Sequence, residues 1–63
     1  MLWLSEVLLK NHAMNSFDEL KEKVSAGAQG EIFFQMDVKP PFSDTPENWE
    51  DQLESAFTSG QRG

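Results

Sequence analysis

One run in the middle of this chain constrains its fold more than any other. From Glu31 to Val38, the residues Ile32, Phe34, Met36 and Val38 alternate with Glu31, Gln35 and Asp37, and only Phe33 breaks the pattern. Apolar residues at period two, with aromatic and β-branched content, specify a strand. On a helical wheel the same residues scatter around the whole circumference, so there is no helical face to bury. Pro40-Pro41 then ends any hydrogen-bonded ladder, and Lys39, preceding a proline, is held away from helix. A strand needs a neighbour, and the chain offers no second clear run. The partner is either the opening segment or the equivalent strand of a second copy.

Helical patterns flank this run. Ser16-Phe17-Asp18-Glu19 reads as a capping box, in which the Ser16 hydroxyl and the Glu19 carboxylate satisfy reciprocal backbone donors. Phe17, Leu20 and Val24 recur at i, i+3 and i+7, and Glu19 precedes Lys23 by four residues, the favourable order for a surface pair. Gly27 or Gly30 can supply the left-handed residue that ends this helix. In the last segment Asp44 or Thr45 caps and Pro46 sits in the first turn. Trp49, Leu53 and Phe57 then recur every four residues with Ala56 beside them. Gly60 marks the stop, and 61–63 reads as a frayed tail.

The opening segment is ambiguous. Leu2 to Asn11 is rich in helix formers, with Trp3, Leu4, Val7 and Leu8 on one face and Leu2 and Leu9 on the other. Helix is the reading its composition favours, and a strand with two apolar faces is the alternative. Met14 followed by Asn15-Ser16 also has the character of an internal start, which would make 1–13 dispensable.

These patterns predict a single α+β domain over 1–63 in the order helix-helix-strand-helix, with an all-α three-helix bundle as the alternative. The expected core is Leu4, Leu8, Phe17, Leu20, Val24, Ile32, Phe34, Met36, Trp49, Leu53 and Phe57. A chain of 63 residues buries only about 60% of the surface its unfolded form exposes. It has no cysteine for a disulfide. The unpaired strand and the two-sided opening segment therefore predict a homodimer.

Composition also narrows function. Five basic residues stand against eleven acidic ones, for a net charge of −6. Such a chain repels phosphate backbones, so direct nucleic-acid binding is not expected, nor is attraction to an anionic membrane surface. No stretch reaches the roughly 18–20 apolar residues of a membrane span. The opening Met1-Leu2-Trp3-Leu4 has no positive region before it and is interrupted by Ser5-Glu6, unlike a signal peptide. The absence of cysteine suits a reducing cytoplasm. His12 is the only histidine, and no phosphate-binding glycine loop, nucleophile elbow or calcium loop is present. The chain is expected to be no enzyme, with no cofactor and no metal.

The final helix carries the one pattern that points outward. Glu47, Glu50, Asp51 and Glu54 gather within about 100° on the wheel, clear of the Trp49/Leu53/Phe57 stripe. From Pro40 through Gln61 there are five acidic residues and not one Lys or Arg. The pairs 47–51 and 50–54 put like charges four apart, each costing roughly 0.2–0.5 kcal/mol. A stripe that opposes helix stability without internal compensation fits a protein partner with a basic surface. Phe33, on the otherwise polar face of the strand, is either a further contact residue or packs beneath a helix. The alternatives are a DNA mimic that blocks a nucleic-acid-binding protein and a structural dimerisation module. The plain reading of the same stripe is a solvated face that keeps a small protein soluble.

In length, acidity and lack of catalytic motifs the chain resembles the small accessory proteins of the early regions of lambdoid bacteriophages. The resemblance spans the whole chain but rests on no motif. It implies a cytoplasmic protein that modulates phage or host proteins through protein–protein contacts, and it assigns no residues.

Overall fold

The computed structural model describes residues 1–62, with side chains through Gln61. The elements are β1 (Leu2–Trp3), α1 (Leu4–Lys10), α2 (Phe17–Gly27), β2 (Phe34–Gln35) and α3 (Trp49–Arg62). This is an α+β fold, and a pure helical bundle is not needed to account for it. The order differs from expectation because the opening segment splits into a strand and then a helix. Trp3, extended at φ −102° and ψ 132°, forms the N-cap position of α1. Leu4 and Val7 then turn inward and are buried.

β1 and β2 pair in parallel, Leu2 opposite Phe34 and Trp3 opposite Gln35. The Leu2 N–H donates to the Phe33 carbonyl at 2.8 Å. Parallel neighbours need a long crossover, which α1 and α2 supply. Of the two partners open to the central strand, the opening segment fills the place within the chain. The ladder is shorter than the alternation over 31–38 suggests, because β1 offers only two extended residues before α1 begins. Ile32 consequently lies beyond the ladder and is 77% exposed, against the expectation that it belongs to the core.

The core is formed by Leu4, Val7, Met14, Phe17, Leu20, Val24, Ala28, Leu53 and Phe57. Leu8, Phe34, Met36 and Trp49 pack against it half-buried. Val7, Met14 and Ala28 join the expected set. Each full burial of a Leu or Val side chain stabilises by about 1.5–3 kcal/mol relative to exposure. The radius of gyration is 10.4 Å, close to the roughly 10.6 Å that size scaling gives one folded body of this length.

Gly60 does not stop α3. The helix continues through it to Arg62, and Gly60 is buried against α2. A Cβ there would meet the Ser25 carbonyl carbon at 2.7 Å and the Ala28 side chain at 2.9 Å. Glycine is required here for close approach of two helices rather than for a turn. Of the expected frayed tail, Gln61 and Arg62 are helical, and Gly63 lies outside the described residues. The Gln61 amide donates to the Glu31 carbonyl at 2.6 Å. Gly30, at φ 80°, supplies the left-handed residue after α2.

Two aspartates finish helices to which they do not belong. Ser16 Oγ accepts from the Glu19 N–H at 3.2 Å as expected, but the return bond from Glu19 is not formed among the described residues. Instead the Phe17 N–H donates to both Asp44 oxygens, at 2.9 and 3.1 Å. Asp44, expected to cap α3, therefore caps α2. The α3 helix starts later, with the Gln52 N–H donating to the Asn48 carbonyl at 3.1 Å. In the same way the Ser5 N–H of α1 donates to Asp37 Oδ1 at 3.1 Å. This bonding to Ser5 holds the Asp37 carboxyl below its usual range. The expected Glu19–Lys23 pair is not formed among the described residues, and Lys21 pairs with Asp18 at 3.2 Å. Among the described residues no helix is long and apolar enough to cross a membrane.

Candidate partner-binding surface

Helix α3 presents two contrasting faces. Leu53 and Phe57 are buried under α2 and β2, while Glu50, Asp51 and Glu54, with Glu47 just before the helix, are all exposed. Among the described residues none of these four carboxylates makes an ion pair. Lys21 does reach α3, but its Nζ meets Gln52 Oε1 at 3.4 Å and not a carboxylate. It also lies 5.7 Å from the Phe17 ring centroid, a cation–π arrangement. Lys10 and Lys23 instead border a hollow with His12 at the α1–α2 junction. None of these three lysines pairs with a carboxylate of α3, and the negative potential along that helix is not cancelled by them.

Phe33 is 64% exposed. A groove runs between the 32–36 segment and α3, with Ile32, Phe33, Phe34 and Met36 on one wall and Glu54 and Phe57 on the other. The Phe34 and Phe57 rings stack at 5.2 Å and 18°, fixing the two walls to each other. Of the residues singled out in the sequence, this groove unites Phe33 and Glu54. Glu50 lies one turn before Glu54 on the same flank, by helical spacing. Asp51 is rotated a further 100° from Glu50 in ideal geometry, and Glu47 precedes the helix. Neither is part of the groove lining.

Ile32 is the groove residue that sequence reasoning assigned elsewhere. No local signal marked it: the alternation puts Ile32 on the same face as Phe34 and Met36, and its exposure follows from a ladder that begins only at Phe34. The backbone on the same wall is also incompletely paired. Among the described residues the sheet has two strands, so the side of β2 away from β1 carries N–H and C=O groups with no strand of these residues beside them.

Among the described residues, no three His, Cys, Asp or Glu side chains converge as a metal site requires. His12 is exposed in the turn after α1. The chain matches no family model, no curated protein and no solved structure.

Proposed function

We propose that this chain is a small, non-enzymatic regulatory protein of the cytoplasm that acts by binding another protein through a basic surface on that partner. The observation that carries the reading is the juxtaposition, at one groove, of exposed apolar side chains with Glu54, which makes no ion pair among the described residues, and with Glu50 one turn before it. Ile32 and Phe33 supply area that gains from burial, and Glu50 and Glu54 supply a sign that selects the partner. The likeness in size and charge to early-region phage accessory proteins is compatible with this role.

The test is capture of binding proteins by wild-type chain and by the Glu50→Gln/Glu54→Gln variant, at low and at high salt. We expect a captured protein that is lost both in the variant and as salt screens the contact. Capture unchanged by either treatment would overturn the reading. A captured protein that is released by added duplex DNA would turn it into nucleic-acid mimicry.

A further inference from the structure

We infer that the groove takes an extended basic segment of the partner, which adds to the free edge of β2 as a third strand. This rests on the protein-binding reading above and names its chemistry. Strand addition supplies affinity through main-chain hydrogen bonds and specificity through alternate side chains. The groove provides for both. Its β2 wall is an unpaired strand edge. Its upper rim is apolar, with Ile32 and Phe33 at 77% and 64% exposure. Its far wall carries Glu54, exposed and without an ion pair among the described residues.

An added strand beside β2 runs along α3. Its alternate residues point to opposite faces. Apolar side chains on one face cover Phe33, while Lys or Arg on the other, the face that Ile32 shares with Phe34, meet Glu54 and Glu50. The matching ligand is an extended segment alternating basic and β-branched residues. A second copy of this chain fits poorly. Pairing two β2 edges would bring two acidic α3 helices together, on a molecule whose net charge is already −6.

The probe is a blocked synthetic peptide alternating lysine with valine, titrated into isotopically labelled full-length protein. We expect amide shifts confined to 32–36 and the facing flank of α3. Each of Glu50→Gln and Glu54→Gln should weaken binding by roughly two- to five-fold, the range of an exposed ion pair. The same peptide N-methylated on alternate amides should lose about tenfold, since it cannot complete the ladder. Ile32→Ser/Phe33→Ser, whose fold is checked by circular dichroism, should also bind weakly.

Equal binding of the N-methylated peptide, or of a glutamate–valine peptide, would overturn strand addition. So would shifts elsewhere on the molecule, or edge shifts that appear on concentrating the protein alone. If the carboxylate variant loses its captured protein while the lysine–valine peptide leaves 32–36 unmoved, strand addition falls and the broader function stands. If the peptide binds as described but capture ignores the carboxylates, the broader function falls instead.

Discussion

Between α2 and α3, Leu20, Val24 and Leu53 are wholly buried, whereas along the β1–β2 ribbon Trp3, Ile32 and Phe33 remain 39%, 77% and 64% exposed. The helical pair closes around Gly60 at backbone contact distance. The ribbon is two residues per strand, and among the described residues no further strand pairs with either edge. Stability is concentrated where the helices cross, and unburied apolar surface where the strands lie. Covering what remains exposed of Ile32 and Phe33 would contribute about 1–2 kcal/mol each before the costs of association, free energy that the isolated fold leaves unused.

The most severe way to break this comparison is to remove residues 1–13, so that the chain starts at Met14. That deletes β1 and the buried Leu4 and Val7. We expect no cooperative thermal transition by circular dichroism. A sigmoidal melt would show that the α2–α3 pair stands without the ribbon. Next comes Leu53→Ala, which should destabilise by about 2–5 kcal/mol in urea unfolding, through lost burial and a cavity.

Gly60→Ala is a sharper probe, because two effects oppose. Helix propensity alone would make alanine better by about 1 kcal/mol. Overpacking against Ser25 and Ala28 costs about 1–3 kcal/mol. We expect net destabilisation, and a raised melting temperature would mean that the helices do not approach as closely as the Gly60–Ser25 contact requires.

A smaller effect tests the bond from α1 to Asp37. Its carboxyl is held below the usual range by Ser5, so its contribution is fully present above the unfolded value of about 4 and disappears as pH falls through the lower folded value. The stability difference between wild type and Asp37→Asn should therefore shrink as urea midpoints are measured from about pH 6 down to about pH 2. A difference independent of pH would refute the assignment. Last, Phe33→Ser should change stability by no more than about 0.5 kcal/mol, the norm for exposed positions. A larger loss would mean the ribbon face is structural.

The helical pair was largely readable from spacing. Phe17, Leu20 and Val24 are all buried, as are Leu53 and Phe57, because burial of a helical stripe follows from local periodicity. What depends on distant residues was not readable. Gly60 resembles a helix stop because glycine usually serves that purpose, and nothing nearby announces Ser25 across the interface. Asp44 sits where a local cap for α3 belongs, yet its carboxylate reaches Phe17. The alternation from 31 to 38 correctly marked a strand but could not reveal that Leu2–Trp3 offers so short a template. Likewise the acidic stripe was visible, but its meeting with Ile32 and Phe33 depends on how α3 crosses β2.

The remote caps have a kinetic consequence. The bonds linking Ser5 to Asp37, Phe17 to Asp44, Lys21 to Gln52 and Gln61 to Glu31 bridge 32, 27, 31 and 30 positions along the chain. Each closes a large loop before it gives anything in return, so the search for the native arrangement resembles that of a mixed or β-rich protein more than that of a simple bundle. Helix formation takes about a microsecond, but these helix ends remain open until Asp37 and Asp44 arrive from the far side of the chain.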